Sequence, residues 1–285
     1  MENNQDHNAS IVSITGVNNN QLHLLVNLYY EPFDPESVLS VIATLEHKPD
    51  VKWNTIHSIE QWCTAMDQSK GGTLFVVSME GELHVYNANK WTVLDLGCPD
   101  GLNSIWAAND NQAFIAGLGG ERIRVIDEKI EITREPKSFR LNAIHGSSES
   151  NVVTVGDEGM VYKFDGINWK KIDLPTNVNL LSVYCHSEKE IFIGGAGVLY
   201  RWDGSVWYEI DAQELIISSI AFYLGRFFLA CGGKGVFSIQ NDALELFKEI
   251  TVYRLKHIDD SLFAIGNKLV AQYDGKEWWG GDLDL

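Results

Sequence analysis

The sequence lacks the long apolar run that would anchor a chain in a membrane. No stretch approaches the roughly 18 consecutive apolar residues that a membrane helix needs. The first residues, MENNQDHNASIV, contain neither a basic segment nor an apolar core, so they do not resemble a secretory signal. We therefore expect a cytoplasmic protein that makes no membrane contact.

Cysteine is scarce and widely spaced. The four cysteines, Cys63, Cys98, Cys185 and Cys231, form no CxxC or CxxH pattern, which excludes the common zinc-binding spacings. In a chain without an export signal, isolated cysteines predict free and mostly buried thiols in a reducing compartment.

Basic residues are few in comparison with acidic ones. The chain has 22 Lys and Arg against 39 Asp and Glu, which gives a formal net charge of −17. Nucleic acid repels a chain of this charge, so we expect no nucleic-acid partner. The charge permits a basic protein partner, although acidity that serves only solubility is the simpler explanation.

Familiar catalytic and cofactor motifs are also missing. The sequence has no G-x-S-x-G, no H-E-x-x-H and no phosphate-binding loop, and GGKG at 232–235 lacks the spacing of one. The eight histidines share no short metal-ligand spacing, and no D-x-D-x-D-G calcium loop occurs. We therefore predict no catalytic residue, no cofactor and no metal.

What the chain does contain is an internal repeat. Three similar segments begin at Leu102, Leu141 and Leu180 with LNSIWA, LNAIHG and LLSVYC, and their starts lie 39 residues apart. Each segment divides into four short strands that are separated by turns rich in Gly, Asp and Asn. Weaker copies begin near residues 11, 60, 217 and 253, so the chain has seven units.

Seven four-stranded units predict an all-β fold with a single β-propeller over residues 1–285, because each unit buries its faces only against its neighbours. Six blades remain the alternative. The predicted blades lie near residues 10–57, 58–101, 102–140, 141–179, 180–216, 217–252 and 253–285.

Two glycine-containing patterns carry a family resemblance. The segment IFIGG, followed by Tyr200 and Trp207, is similar to a shortened kelch repeat, and Gly232–Gly233 is a second partial match. Over about residues 60–285 the chain resembles bacterial propellers whose repeat unit ends in an aromatic residue followed by D-G-x-x-W. The resemblance implies the fold and leaves the function open.

The phrase aromatic-Asp-Gly-x-x-Trp recurs as KFDGINW, RWDGSVW and QYDGKEW. Asp-Gly between two strands predicts a two-residue type I′ turn with positive φ at both positions, and Asn87–Ala88 is a relaxed version. Each tryptophan should pair across the hairpin with the preceding aromatic residue, a structural role rather than a ligand site. The predicted structural positions are Asp165, Gly166, Trp169, Asp203, Gly204, Trp207, Asp274, Gly275 and Trp278.

Two features are candidate binding surfaces. An insertion, LYYEPFDPES at residues 28–37, places three aromatic residues, Tyr29, Tyr30 and Phe33, in an expected loop. Alternatively, Tyr29 and Tyr30 end a strand and only Phe33 is exposed.

The second feature is a set of acidic residues in the loops between second and third strands, which share one propeller face. These residues, which would steer a basic partner or simply form a solvated surface, are Glu80, Glu121, Asp157 and Glu158.

These patterns predict a non-enzymatic, protein-binding propeller. The prediction is a bacterial immunity protein, monomeric when free, that binds and neutralises a cognate toxin, in particular a basic one. One alternative is a carbohydrate or small-molecule hydrolase or lyase with its site in the central channel. The first strands LNSIWA, LNAIHG, LLSVYC and SSIAFY offer it no carboxylate, although His145 and Cys185 could form a nucleophilic pair there. An assembly or scaffold factor is the other alternative.

Overall fold

The computed structural model describes residues 8–30, 37–46, 52–135 and 139–283. Within these ranges the chain forms seven antiparallel sheets, each built from strands that are consecutive in sequence. The first strand of each sheet contacts the first strands of the two neighbouring sheets, and the last sheet contacts the first in the same way. The sheets therefore close into a ring, and the predicted all-β, seven-bladed propeller is confirmed.

The first four blades each contain four strands. Blades 1 and 2 contain β1 (Asn8–Gly16), β2 (Leu22–Tyr29), β3 (Leu39–Glu46), β4 (Lys52–Ile59), β5 (Cys63–Gln68), β6 (Leu74–Ser78), β7 (Glu82–Asn87) and β8 (Lys90–Asp95). Blades 3 and 4 contain β9 (Leu102–Asn109), β10 (Gln112–Gly117), β11 (Arg122–Ile126), β12 (Lys129–Thr133), β13 (Leu141–Ser148), β14 (Asn151–Gly156), β15 (Val161–Phe164) and β16 (Trp169–Lys171).

Blade 5 joins its second and third strands into one continuous element. Its strands are β17 (Leu180–Ser187), β18 (Glu190–Trp202) and β19 (Trp207–Ile216). The first part of β18 pairs with β17 and the second part with β19, and Gly197 between them has a φ of +75°. Blades 6 and 7 contain β20 (Ser219–Tyr223), β21 (Arg226–Ala230), β22 (Val236–Gln240), β23 (Ala243–Lys248), β24 (Arg254–Ile258), β25 (Ser261–Ile265), β26 (Leu269–Tyr273) and β27 (Trp278–Asp282).

Burial decreases from the middle of a blade to its rim. Every residue of the second strands β10 and β14 is buried, because neighbouring blades cover both faces of these strands. Every residue of the rim strand β12 is exposed. The first strands line the channel at the axis, so the side chains available for a site lie on those strands and on the loops at the two ends.

The predicted type I′ turns at Asp165–Gly166, Asp203–Gly204 and Asp274–Gly275 are wrong. Each hairpin has a four-residue loop in which only the glycine has positive φ, at +98°, +98° and +91°. The aspartate makes the longer loop stable, because its carboxylate replaces the missing ladder contacts: Asp165 Oδ1 accepts hydrogen bonds from the backbone N–H groups of Ile167 and Asn168 at 3.0 and 2.9 Å.

True two-residue turns occur in blades that lack the Asp-Gly phrase. Ala88–Asn89, Asp127–Glu128 and Asn241–Asp242 have positive φ at both positions and connect paired strand ends. The turn expected at Asn87–Ala88 is therefore shifted by one residue. Short side chains such as Asn and Asp tolerate this left-handed conformation, which is why they occupy most of these positions.

The aromatic residues that flank the Asp-Gly loops are in contact. The ring centroids are 5.2 Å apart for Phe164 and Trp169, and 5.3 Å apart for Trp202 and Trp207. Tyr273 stacks on Trp278 at 5.2 Å. Such pairs contribute about 0.5–1.5 kcal/mol beyond their buried area, so they hold the third and fourth strands of these blades together.

A repeated polar contact joins each blade to the next. At six interfaces a side chain of the earlier blade donates a hydrogen bond to a backbone carbonyl at or just before the start of the next blade's first strand. The donor and acceptor pairs are Asn27 and Cys63 (3.0 Å), Thr64 and Leu102 (2.8 Å), Asn103 and Leu141 (2.9 Å), Asn142 and Leu180 (2.9 Å), Ser182 and Ile217 (2.9 Å), and Ser218 and Tyr253 (2.7 Å).

The ring closes between blades 7 and 1 without exchanging a strand. Each of these two sheets contains only its own consecutive strands in the described part of the chain. An apolar cluster joins them, in which Ile11 and Leu24 of blade 1 pack with Phe263 and Ile265 of blade 7. The backbone N–H of Ile11 also donates to the Asn267 carbonyl at 2.7 Å.

We expect Asn103→Ala to lower the free energy of unfolding by about 1–3 kcal/mol, because it leaves the Leu141 carbonyl without its donor. Urea denaturation followed by tryptophan fluorescence measures the change. The control is Asn168→Ala at an exposed loop position, which should alter stability by less than about 0.5 kcal/mol. Equal stability of the two variants would show that the contact between blades contributes nothing.

Candidate binding face and central channel

One end of the ring carries both predicted binding features. Because the strands of each blade alternate in direction, the loops between second and third strands lie at the same end as the connections between blades. We call this end the upper face. The insertion begins where β2 ends at this face, so its described residues Tyr29 and Tyr30 share the upper face with the loops that contain Glu80, Glu121, Asp157 and Glu158.

The aromatic insertion begins at the end of a strand. Tyr29 is the last residue of β2 and Tyr30 follows it, and both are half-buried. The ring of Tyr29 contacts Trp62 of blade 2, with centroids 5.6 Å apart. Phe33 lies outside the described residues. Tyr29 and Trp62 thus form an aromatic contact across the junction of blades 1 and 2.

The four predicted acidic residues differ in their environments. Glu80 and Glu158 are exposed. Asp157 is half-buried and accepts a hydrogen bond from Asn142 Nδ2 at 2.8 Å. Glu121, which we expected to be exposed, is only 2 % accessible and forms an ion pair with Arg134 at 3.1 Å. Glu121 therefore cannot attract a partner in this conformation.

A tight glycine turn explains why Glu121 is buried. Its carboxylate lies against Gly117 and Gly119, where a Cβ atom would come within 2.3 and 2.6 Å of the Glu121 carboxylate oxygens. The turn therefore accommodates the carboxylate only because these positions lack side chains. The glycines of GLGGER indicate a tight turn, but the sequence does not show that the turn folds over its own glutamate.

The upper face also carries exposed apolar side chains that the sequence did not single out. Met79 lies in the second-to-third loop of blade 2, and Phe139, Ile216 and Tyr253 lie in or at the ends of connections between blades. Their relative exposures are 40, 37, 55 and 43 %. They occur next to strand ends, where the alternation of apolar and polar residues no longer indicates which side chain is buried.

The central channel contains an ion pair between blades that are not neighbours. Lys256 Nζ on β24 lies 2.6 Å from Asp67 Oδ1 on β5. The other Asp67 oxygen accepts a hydrogen bond from the backbone N–H of Ala107 on β9, at 2.9 Å. One carboxylate therefore connects blades 2, 3 and 7. The four first strands compared in the sequence contain no carboxylate, but β5, which belongs to a weak repeat, provides Asp67.

His145 and Cys185 meet in the channel wall, but not as a nucleophilic pair. His145 Nδ1 accepts a hydrogen bond from the Cys185 backbone N–H at 3.0 Å, and the Cys185 thiol donates to the His145 carbonyl at 3.2 Å. Burial raises the pKa of Cys185 to about 12 and lowers the pKa of His145 to about 3. The thiol stays protonated and the imidazole neutral, so the arrangement is structural.

Seven antiparallel blades around a channel define this protein as a seven-bladed β-propeller. No family model matches the chain. Over 192 residues it is 25 % identical to the Immune protein Tsi7 of Pseudomonas aeruginosa. The matched region covers 60 % of this chain and 61 % of that protein, so the similarity spans less than two thirds of either one.

Solved propellers share the fold at low sequence identity. The WD40 propeller domain of Doa1 superposes with a TM-score of 0.75 at 8 % identity, covering 94 % of this chain and 93 % of that one. Sqt1 of Chaetomium thermophilum, bound to the N-terminus of the ribosomal protein L10, gives 0.71 at 14 % identity over 97 % and 89 %. Virginiamycin B lyase of Staphylococcus aureus gives 0.72 at 9 % identity over 91 % and 95 %. These likenesses show the fold alone.

Neither a metal cluster nor a membrane helix is found in the described part of the chain. Among residues 8–30, 37–46, 52–135 and 139–283, no three His, Cys, Asp or Glu side chains are grouped so that they could hold a metal ion. Over the same ranges no helix is long and apolar enough to span a bilayer.

The environment of His145 predicts a pH-dependent stability. Its pKa is about 3 in the folded protein and 6.5 in a model peptide, so between these values the unfolded chain binds the extra proton. The free energy of unfolding should therefore fall as the pH drops below 6.5, by no more than about 1.4 kcal/mol per pH unit from this group.

Urea denaturation at a series of pH values between about 5 and 8 measures this dependence of the free energy of unfolding. His145→Asn keeps an acceptor near the Cys185 N–H but cannot titrate, so its stability should depend less on pH than that of the wild type. Burial also lowers the pKa of His23, His57 and His84, so part of the dependence should persist in the variant. Parallel curves for the two proteins would contradict the assignment to His145.

Proposed function

We propose that this protein is a bacterial, cytoplasmic immunity protein that neutralises a cognate toxin by binding it, without catalysing a reaction. The observation that carries the proposal is the similarity to the Immune protein Tsi7 over 192 residues. A seven-bladed propeller supports it, because such a ring provides a broad, rigid surface on which loops of different sequence can be displayed.

The upper face has the composition of a protein-binding surface. Exposed Met79, Phe139, Ile216 and Tyr253 supply apolar anchors. Glu80 and Glu158 add exposed negative charge on the same face, as is typical of a polar rim around such anchors. Together with the net charge of −17, this arrangement favours a basic toxin, since opposite charge accelerates association.

A channel enzyme is the less supported alternative. Asp67 provides a carboxylate in the channel, and the lyase of similar fold is a precedent for an enzymatic propeller. However, both Asp67 oxygens are engaged, one by Lys256 and one by the Ala107 N–H. His145 is likewise held at Nδ1 by the Cys185 N–H. These groups stabilise the ring, so they are poorly placed to serve as a general acid or base.

An assembly or scaffold role would use the same kind of surface for a different partner. Sqt1, which has this fold, was solved bound to the N-terminus of a ribosomal protein. The kelch-like character of the repeats stays a prediction, and it does not discriminate between these roles. The identity of the partner is therefore the property to test.

We expect the protein to bind the product of the toxin gene adjacent to its own gene, and to protect cells that express that toxin. Glu80→Lys/Glu158→Lys should weaken this complex by about tenfold or more, because it replaces attraction with repulsion at two exposed sites. Isothermal titration calorimetry measures the affinity, and survival of co-expressing cells measures the protection.

The matched control is Glu188→Lys/Glu245→Lys, which makes the same change in net charge away from the upper face. Glu188 lies in the loop between β17 and β18 at the opposite end, and Glu245 lies on the rim strand β23. Both are exposed. If the two double variants bind equally well, the upper face is not the interface. If the wild type neither binds nor protects, the immunity function is wrong.

A further inference from the structure

The channel is divided into two cavities by the ion pair at its centre. An upper cavity of about 260 Å³ and a lower cavity both include Asp67, His145, Tyr184 and Lys256 in their walls. The upper cavity continues to the ends of the first strands at the upper face, where Arg254 lies. It is therefore a concave, polar site that opens on the proposed binding face but is separate from the exposed loops.

The charged side chains of the upper cavity do not balance one another. The charged residues in its wall are Asp67, Lys256 and Arg254. Asp67 neutralises Lys256 at 2.6 Å. Burial lowers the pKa of His145, so its imidazole is neutral at physiological pH, and burial raises the pKa of Tyr184. His257, the other titratable residue of the wall, is exposed, and its Nε2 lies 2.8 Å from the Asp259 carbonyl oxygen. The positive charge of Arg254 is therefore not balanced by any carboxylate of the cavity wall.

Arg254 has no internal partner that would explain its position. In the described part of the chain, its guanidinium forms neither an ion pair nor a hydrogen bond, unlike that of Arg122 or Arg201. The side chain of Arg254 is open to solvent at the mouth of the channel. Acidic residues are plentiful in a chain of net charge −17, yet none in the described part of the chain is placed against this guanidinium.

We propose that the upper cavity is a binding site for one carboxylate group, which Arg254 holds through a guanidinium–carboxylate pair. The planar guanidinium can donate two parallel hydrogen bonds to a carboxylate. A single negative charge matches the one unbalanced positive charge of Arg254, whereas a phosphate dianion would leave the cavity with a net negative charge. The carboxylate can belong to a small acid or to a protein segment that enters the channel from the upper face.

Two matched pairs of probes test the site and distinguish the sources. Acetate is compared with acetamide, and acetyl-triglycine with a free carboxyl terminus is compared with its amide. We expect at least one acid to bind the wild type with a Kd of about 1 mM or below, by isothermal titration calorimetry at low salt. The neutral amides should not bind. Binding of both acids indicates that a small acid suffices, and binding of the peptide alone indicates a carboxylate carried by a protein.

Arg254→Gln should weaken the binding by about tenfold or more, and Arg254→Lys should weaken it less, because it keeps the charge but loses the planar donor pair. The control Lys234→Gln removes the same charge from an exposed loop of the same face, outside the cavity, and should leave the affinity unchanged. Circular dichroism confirms that each variant is folded.

The site does not depend on the toxin-neutralising function, and the two can fail separately. No binding of either acid at about 10 mM would overturn the carboxylate site while leaving the toxin complex intact. Equal loss of binding in Arg254→Gln and Lys234→Gln would also overturn it, because the effect would then come from net charge rather than from the cavity.

Discussion

The constraint on which the rest of this structure depends is the unpaired edge that each first strand presents to the axis. A strand edge left without hydrogen-bond partners is unstable and prone to association. Here side chains of the preceding blade satisfy it. Asn103 donates to the first carbonyl of the next blade, and Ser104 and His145 accept backbone N–H groups of blades 4 and 5. These hydrogen bonds between blades, which we call the polar seam, join neighbouring blades alongside the apolar layers.

This seam limits the chemistry that the channel can perform. His145, Cys185 and Asp67 face the axis, and each forms a hydrogen bond with a backbone group of a neighbouring blade. These side chains therefore already have structural partners. Asp67 also forms an ion pair with Lys256, which connects blades 2 and 7 across blade 1. This is the part of the ring that no exchanged strand closes. Arg254 is the exception at the upper end of the channel, and it is the reason to consider a ligand there.

The loops of the upper face do not form part of this seam, and they carry features in which the blades differ from one another. The aromatic contact of Tyr29 with Trp62, the exposed Glu80 and Glu158, and the exposed Met79 lie outside the polar seam. A rigid ring that holds irregular loops separates stability from recognition. This separation allows the same fold to serve proteins as different as a lyase and a protein that binds a peptide.

The sequence by itself determined the fold, because strand periodicity and the 39-residue spacing of Leu102, Leu141 and Leu180 are local properties that repeat along the chain. It also placed the aromatic insertion and the acidic loops in second-to-third connections, which share one face in any propeller. Only the tertiary structure decided which of those residues are available. Glu121 is buried by a turn that folds back on it, and Asp67 and Arg254 reach the axis from weak repeats. Burial and charge pairing depend on blades far apart in sequence, and no local pattern encodes them.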